Sequence, residues 1–214
     1  MQYPSGKDRR PEPSFSQEQY RRRASHYDAE LAPFEPFRVM AVRQLELQRG
    51  DTVLDVGCGT GLSFASLEGC IGDAGRIVGV EPSAEMLALA RSRVGDHHWH
   101  NVELVEAPAA SARLPAQADA ALFFFTHDVV RDKPSLDHVL AHLKPGAHVV
   151  ASGLQWAQPW LWPANLFVLA AALYSVTSLE GLGRPWDRLA ARLRDVQLQT
   201  NLLGGIYIVK GRLA

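Results

Sequence analysis

The sequence has few cysteines, no excess of basic residues and no apolar segment near residue 1. Its 214 residues contain two cysteines, Cys58 and Cys70, so a disulfide framework is not expected and a reducing compartment fits. The 22 basic and 23 acidic residues give a net charge of −1, which argues against a nucleic-acid partner, since phosphate contacts need a basic face. Residues 1–13 are polar and contain prolines, without the apolar segment of a signal peptide. A cytoplasmic protein is therefore expected.

Charged residues are also absent from one long stretch, Gly153 to Leu179, whose second part from Leu161 onward is mostly apolar. A membrane-spanning helix needs about 20 apolar residues, and here Pro163 and several polar side chains interrupt the run. The stretch therefore favours a buried or substrate-covering helix, and contact with a membrane surface stays open as the alternative.

Short apolar runs bounded by turn residues alternate with longer runs that have helical spacing. The predicted strands are Thr52–Val56, Ile77–Val80, Val102–Val105, Ala118–Phe125, Ala147–Ser152, Val196–Leu202 and Ile206–Val209. The predicted helices are residues 16–48, Leu62–Ile71, Ser83–Val94, Leu136–Leu143 and Trp186–Leu193. Pro33 and Pro36 break the first of these into two pieces, of which the second is Phe37–Leu47.

This alternation predicts an α/β fold of the Rossmann-like, doubly wound type, with helices on both faces of a mostly parallel sheet. Gly204-Gly205 is typical of a hairpin turn between the last two predicted strands. A seven-stranded sheet with an antiparallel last strand is therefore expected.

A glycine-rich turn follows the first predicted strand, in the segment Asp55-Val56-Gly57-Cys58-Gly59-Thr60-Gly61. Alternate glycines permit a tight turn and a close approach of a ligand, and the helix that follows offers free N–H groups. The fingerprint of a dinucleotide-binding site would need a glycine at position 62, where this chain has Leu62. A P-loop would need a lysine after its last glycine, and this turn contains none. Glu81 ends the second predicted strand and can accept hydrogen bonds from both hydroxyls of a ribose. The pattern predicts a site for an adenosyl-bearing ligand.

Three segments, VLDVGCGTG, VGVEPSAEMLALA and LFFFTHDV, resemble the class I S-adenosylmethionine-dependent methyltransferases over roughly residues 50–152. Within that family they are similar to the ubiquinone/menaquinone-biosynthesis group. The resemblance implies an enzyme that uses S-adenosyl-L-methionine as cofactor and methylates a small organic acceptor. It implies that the amino-acid part of the cofactor is surrounded by Asp55, Gly57, Cys58, Gly59 and Gly61, that Glu81 holds the ribose, and that Pro82 and Met86 flank the adenine.

The sequence departs from this family after the third predicted strand. The family usually has an acidic residue there that accepts a hydrogen bond from the adenine amino group, whereas this chain has Glu106-Ala107-Pro108-Ala109. Ala107 and Pro108 are still expected beside the adenine. Recognition of the adenine then depends on backbone groups and packing, or on Glu106.

Residues at the end of the fourth predicted strand are candidates for the reaction itself. Aromatic faces attract a sulfonium, so Phe123 and Phe124 are expected at the cofactor, although alternation along a strand also allows a core role. His127 has a side chain suited to general-base work on a hydroxyl acceptor, and Asp128 follows it. Orienting the substrate, or no chemical task, are the alternatives for His127.

The acceptor site is expected to lie between elements added to the core. Tyr20 and Tyr27 belong to the N-terminal helical lid, and Trp156 and Trp160 follow the fifth predicted strand. These aromatic residues predict a flat, aromatic or apolar acceptor, with ordinary packing as the alternative.

One domain is expected over residues 1–214. Residues 1–13 form a flexible tail, 14–49 the lid, 50–152 the cofactor-binding core, and 153–214 the apolar helix and closing hairpin. No metal is expected, because His97-His98-Trp99-His100 precedes the third predicted strand, opposite the ligand edge of the sheet. The oligomeric state stays open, and a homodimer is among the states allowed. A cofactor-binding homologue that catalyses cyclisation or aminocarboxypropyl transfer, or a non-catalytic binding subunit, are the alternative functions.

Overall fold

A computed structural model describes Asp28, residues 31–175 and residues 182–214 of the chain. The strands in this part are β1 (Thr52–Val56), β2 (Arg76–Glu81), β3 (Val102–Glu106), β4 (Ala118–Phe124), β5 (Leu143–Leu154), β6 (Leu193–Asn201) and β7 (Ile206–Leu213). The helices are α1 (Glu35–Gln44), α2 (Phe64–Ile71), α3 (Ala84–Asp96), α4 (His127–Arg131), α5 (Lys133–Ala141), α6 (Trp162–Ser175) and α7 (Asp187–Ala190). Short 3-10 turns occupy Ala32–Phe34 and Leu202–Gly204.

The seven strands form one sheet in the order β3-β2-β1-β4-β5-β7-β6. β1 to β5 pair in parallel, and β7 runs antiparallel to both of its neighbours, β5 and β6. This arrangement confirms the predicted α/β sheet with its antiparallel last strand. The order reverses between β1 and β4, because the chain winds outward from β1 first toward β3 and then toward β6. Such a reversal opens a crevice at the carboxyl ends of the strands.

Alternating side chains of the central strands bury two apolar clusters, one on each face of the sheet. On the first face, Val53, Leu122 and Phe124 pack against α1, α2 and α3. On the second face, Leu54 and Phe123 pack against α4, α5 and α7. The parity of each strand residue therefore decides which layer of helices its side chain meets.

Several predicted bounds differ from the structure for identifiable reasons. α4 was not predicted, because its five residues are too short to show a helical period. α5 begins earlier than predicted, since the carboxylate of Asp132 caps it by accepting a hydrogen bond from the Ser135 N–H at 2.9 Å. It also ends earlier, because Leu143 already pairs with Ala118 in the sheet, before a register shift that accommodates Lys144-Pro145-Gly146.

The uncharged stretch contains α6, and Val168 of this helix is fully buried against Leu154 and Ile206. Within the residues that the structure describes, no helix has both the length and the apolar character needed to cross a membrane. The predicted tail and the first part of the lid, residues 1–27, lie outside the described residues.

Replacing Leu54 with alanine tests the assignment of the core. Its side chain is 0% exposed in the central strand β1, so Leu54→Ala lowers the free energy of unfolding by about 2–5 kcal/mol, measured by urea denaturation. The matched control is Leu198→Ala on the edge strand β6, where the side chain is 46% exposed and the loss is about 0.5 kcal/mol or less. Equal losses in the two variants would contradict the assignment.

Candidate functional site

A cavity of about 380 Å³ lies at the carboxyl ends of β1, β2 and β4, where the strand order reverses. Its walls come from α1, the turn after β1, the start of α3 and the start of α4. The lining residues are Leu31, Arg38, Asp55, Gly57, Cys58, Gly59, Thr60, Leu62, Ser63, Glu81, Pro82, Ser83, Met86, Phe124, Phe125, Thr126, His127, Asp128 and Val129. Polar side chains from three strand ends therefore converge on one space.

The turn after β1 depends on glycine at Gly57, Gly59 and Gly61, whose φ angles are 72°, 55° and 78°. These values lie in the left-handed region, which side chains with a Cβ disfavour. A Cβ on Gly57 would lie 2.1 Å from Cγ2 of Thr126. The N–H groups of Gly57 and Cys58 both donate to the carbonyl of Val80, at 2.7 and 3.1 Å, which ties the turn to β2.

The carboxylate of Glu81 joins the glycine turn to the start of α3. One oxygen accepts a hydrogen bond from the Gly59 N–H at 3.2 Å, and the other accepts from the Ser83 N–H at 3.0 Å. Burial raises the pKa of Glu81, and these two hydrogen bonds oppose the shift. Because a carboxylate oxygen can accept more than one hydrogen bond, the group keeps capacity for two ligand hydroxyls.

Asp55 presents a buried carboxylate to the same cavity. The residue is 1% exposed, and burial raises its pKa to about 7, against the opposing effects of the Arg38 charge and a hydrogen bond from Ser63. Its Oδ2 atom accepts no hydrogen bond from the described part of the chain. Since buried polar atoms in proteins almost always have partners, this oxygen points to a donor supplied by a ligand.

Arg38 is a site residue that the sequence analysis missed. Its side chain is 2% exposed, forms an ion pair with Glu35, and places its guanidinium 4.9 Å from the centre of the Phe124 ring. A signal was available, because Arg38 shares with Ala41, Val42 and Leu45 the spacing of a buried helix face. A charged residue on the otherwise apolar, buried face of a helix indicates a buried charge with a function.

A network of Asp28, Thr60 and Arg93 at the rim of the cavity links Asp28, which precedes α1, to the glycine turn. The carboxylate of Asp28 accepts a hydrogen bond from Thr60 Oγ1 at 2.6 Å and forms an ion pair with Arg93. Arg93 Nε also donates to the Thr60 carbonyl at 2.9 Å. Asp28 is thereby attached to the turn at Thr60, which is 1% exposed.

The phenylalanines at the end of β4 separate as strand alternation requires. Phe123 is 0% exposed and belongs to the second-face cluster, so it does not line the cavity, whereas Phe124 does. Phe125 also lines it, with a φ of 58°, and its ring centroid lies 4.9 Å from that of Phe34. A strained backbone at a cavity wall is typical of functional positions.

His127 and Asp128 lie on the cavity wall at the first turn of α4. His127 is 6% exposed, whereas Asp128 is largely exposed. The structure thus brings the predicted acid–base candidates to the same cavity as Asp55 and Glu81.

Other predicted residues lie elsewhere. Gly61, Ala107 and Pro108 do not line the cavity, and the last two follow β3 on the far side of β2. Trp156 packs at the apolar cluster of Leu154, Val168, Leu182 and Ile206. Trp160 is 73% exposed. Tyr20 and Tyr27 lie outside the described residues.

The histidine-rich segment forms the turn before β3, where His97 stacks on Trp99 with ring centroids 4.4 Å apart. Across the described ranges, no three histidine, cysteine, aspartate or glutamate side chains are grouped so that they could hold a metal ion.

A family model described as a methyltransferase domain matches residues 53–146. Demethylmenaquinone methyltransferase from Oceanobacillus iheyensis is 30% identical over 129 residues, which cover 58% of this chain and 52% of that protein. The 2-phytyl-1,4-naphtoquinone methyltransferase from Thermosynechococcus vestitus is 31% identical over 134 residues, 58% of this chain and 59% of that protein. The chain thus spans somewhat more than half the length of these two relatives.

Among solved structures, a SAM dependent methyltransferase from Aquifex aeolicus matches with a TM-score of 0.62 at 20% identity, covering 91% of this chain and 98% of that chain. This likeness shows a shared fold. Residues 53–146 are thus similar to a methyltransferase domain, and the relatives that match this part of the chain include menaquinone and naphthoquinone methyltransferases.

Proposed function

We propose that the protein binds S-adenosylmethionine in this cavity and transfers its methyl group to a small, apolar ring compound. The observation that carries the proposal is the shared wall of Asp55, the glycine turn and Glu81. Two carboxylates beside a turn in which every second residue is a glycine suit a ligand that has an ammonium group at one end and ribose hydroxyls in its middle.

The wall residues fit the parts of this cofactor in order. Asp55, with Oδ2 unpartnered among the described residues, would accept from the ammonium group of the amino-acid part. Gly57 and Gly59 would allow the chain of the cofactor to pass close to the backbone, and Glu81 would accept from the ribose hydroxyls. Pro82 precedes α3 and Met86 lies in its first turn; both line the cavity and would flank the adenine.

When bound, the cofactor supplies an electrophilic methyl group with a good leaving group, so the protein mainly has to align the reactants and exclude water. Leu31 and Phe125 contribute apolar surface to the cavity for this purpose. The guanidinium of Arg38 already lies against Phe124, which makes Phe125 the better placed ring to face a cationic donor.

For an acceptor that reacts through a hydroxyl, His127 would take up the proton on a ring nitrogen. Its position on the wall next to Phe125 and Thr126 supports this role, and so does the suitability of histidine as a base near neutral pH. Asp128 follows it on the same wall, where it would orient the acceptor or the histidine.

The apolar surroundings of Phe125 support an apolar acceptor. Phe34, Phe37, Phe125 and Trp156 pack around the buried apolar cluster of Leu154, Val168, Leu182 and Ile206. The two named relatives act, according to their names, on a demethylmenaquinone and a phytyl naphthoquinone. We infer that this chain also accepts a ring compound of the quinone or phenol class.

Calorimetric titration with S-adenosylmethionine and S-adenosylhomocysteine tests the cofactor site. The wild-type protein binds both at one site, and Gly57→Ala weakens both by at least about tenfold, because the new Cβ displaces Thr126 and strains the turn. The matched control is Gly69→Ala in α2, where a Cβ meets nothing within 4 Å and binding stays unchanged. A wild-type protein without affinity for either compound would refute the proposed function.

A screen of quinols, phenols and amines tests the reaction, with the mass of the product as the measurement. The expected product has gained one methyl group, and S-adenosylhomocysteine is released. Release of methylthioadenosine would instead show aminocarboxypropyl transfer, and a product of unchanged mass would show cyclisation. Cofactor binding without any product would favour the alternative in which the protein is a non-catalytic binding subunit.

In the same assay, His127→Ala lowers turnover of a hydroxyl acceptor by at least about tenfold and leaves cofactor affinity within about twofold, since only proton transfer is lost. His100→Ala serves as control, because His100 is exposed in the turn before β3. Unchanged turnover in His127→Ala would remove this residue from the mechanism.

The pKa of Asp55, raised to about 7 by burial, predicts how cofactor binding depends on pH. An ammonium group pairs with the ionised carboxylate, so binding below this pH must release a proton. Affinity therefore falls as the pH decreases from about 7 to about 5, by up to about tenfold per pH unit. The raised pKa of Glu81 adds a contribution of the same sign.

Calorimetry in buffers of different ionisation enthalpy measures this proton release. Asp55→Asn removes most of it and flattens the affinity over the same pH range. Proton uptake on binding by the wild-type protein would contradict the pairing of Asp55 with the ammonium group.

A further inference from the structure

Thr126 lies on the wall of the cavity between Phe125 and His127, at the point where the chain passes from β4 to α4. Its Oγ1 atom is buried and has no hydrogen-bond partner in the described part of the chain. A buried hydroxyl without a partner is unfavourable, because it has given up its hydrogen bonds with water. At the wall of a cavity, such a group points to a hydrogen bond that a ligand completes.

The hydroxyl is not used in the way that is common for a threonine at this position. Thr126 is the N-cap residue of α4, and an N-cap threonine usually accepts a hydrogen bond from an N–H of the first helical turn. Ser83 and Asp132 do so at α3 and α5, at 3.2 and 2.9 Å, whereas Thr126 forms no such bond. Its ψ is 57°, while Ser83 and Asp132 have ψ values of 114° and 112°. The local backbone therefore leaves the hydroxyl available.

The glycine turn indicates which way the side chain of Thr126 faces. A Cβ on Gly57 would lie 2.1 Å from Cγ2 of Thr126 but 4.0 Å from its Oγ1. The methyl group thus packs against the turn, along which the amino-acid part of the cofactor is proposed to pass, and the hydroxyl faces away from Gly57. This orientation favours the acceptor, and not the amino-acid part of the cofactor, as the ligand that reaches the hydroxyl.

The wall around Thr126 suits a ring with a polar substituent. Its apolar residues are Phe124, Phe125 and Val129. A phenol ring packs well against such a surface, but its oxygen loses water there and needs polar partners. Thr126 and His127 are consecutive residues of this wall and supply a hydroxyl and an imidazole, whereas Asp128 is largely exposed.

We propose that the Thr126 hydroxyl donates a hydrogen bond to the oxygen of a ring acceptor and stabilises the phenolate that forms when His127 takes up the proton. This inference rests on the proposed function. The O–H bond of the acceptor breaks, its proton goes to a ring nitrogen of His127, and the electron pair stays on the acceptor oxygen. The proton of Thr126 stays on Oγ1 throughout. The electron pair of the acceptor oxygen then forms the bond to the methyl group, while the bond between that methyl group and sulfur breaks and its pair stays on the sulfur.

The position of the donor explains why it would favour the charged form of the acceptor. A hydrogen-bond donor held where negative charge develops stabilises that charge more than it stabilises the neutral phenol. Because Oγ1 is removed from water, solvent does not compete for the bond, and the lower local dielectric strengthens it. The result is a lower pKa of the bound phenol, which allows a histidine to remove its proton near neutral pH.

A purely structural role is the alternative. In that case the Thr126 side chain only packs against Gly57, and the ionisation of a bound phenol does not depend on the hydroxyl. Valine has nearly the same shape as threonine and keeps a methyl group toward Gly57. Thr126→Val therefore removes the donor without removing the packing, and it separates the two roles.

The experiment measures the pKa of 4-nitrophenol bound to the protein saturated with S-adenosylhomocysteine, which has no methyl group to donate. The phenolate form of this probe absorbs visible light, so absorbance followed over pH gives its pKa in the complex. We expect the wild-type complex to lower the pKa of the probe, which corresponds to a rise of its ionisation constant by at least about tenfold. Most of this rise is lost in Thr126→Val and kept in Thr126→Ser, because serine retains the donor. The charged residues of the cavity act equally in every variant; they are Arg38, Asp55, Glu81 and Asp128.

Thr200→Val is the matched control, because Thr200 is exposed on the edge strand β6, and its complex should lower the pKa of the probe as the wild-type complex does. Thermal unfolding shows whether each variant is folded, and if Thr126→Val is not, Thr126→Ala takes its place beside Thr126→Ser. The affinity for S-adenosylhomocysteine, measured by calorimetry, stays within about threefold of the wild-type value in the Thr126 variants.

Equal pKa values of the probe in the wild-type and Thr126→Val complexes would overturn the inference. The same holds for a wild-type complex that binds no 4-nitrophenol or leaves its pKa unchanged. A loss of S-adenosylhomocysteine affinity beyond about threefold in a folded Thr126→Val protein would place the hydroxyl at the cofactor, and would also overturn it. A wild-type protein that binds neither S-adenosylmethionine nor S-adenosylhomocysteine would instead refute the proposed function.

Discussion

The burial of the Asp55 carboxylate at the end of β1 is the constraint around which the site is arranged. A charge removed from water is costly unless it is paired and hydrogen-bonded, and here burial raises the pKa of the group to about 7. Arg38 and Ser63 offset part of this cost from two different elements. A carboxylate kept at this cost, with one oxygen unpartnered among the described residues, is typical of a functional position and not of a structural one.

The position of this carboxylate follows from the reversal of strand order. β1 lies between β2 and β4, so its end is the one place where the turns after all three strands can reach a common ligand. The glycine turn leaves the space open, Glu81 closes it on the β2 side, and His127 enters from the β4 side. Helix α1, which crosses β4 and β5, contributes the guanidinium of Arg38. The cavity is therefore built by elements that are far apart in the sequence.

Local signals were sufficient for the elements that depend on neighbours in the chain. The predicted bounds of β1 agree with the structure, and Ser83 caps α3 by accepting a hydrogen bond from the Met86 N–H at 3.2 Å. Apolar runs also predicted the seven strands in their succession along the chain, since each run must bury its own face. Helix α4 was too short for periodicity to reveal, and the end of α5 depended on strand pairing between distant segments, which periodicity does not determine. Which of Phe123 and Phe124 lines the cavity could be decided only once it was known which face of the sheet each side chain lies on.

The sequence by itself determined the fold class, the glycine turn and the carboxylates Asp55 and Glu81, because a left-handed turn and a strand-end acid are encoded over a few consecutive residues. The tertiary structure alone decided that Arg38 reaches the cavity, that Phe125 and not Phe123 lines it, and that Ala107 and Pro108 do not. These outcomes depend on how helices are laid over the sheet. The distances between such segments are set by the packing of the whole chain, and no short stretch of residues contains that information.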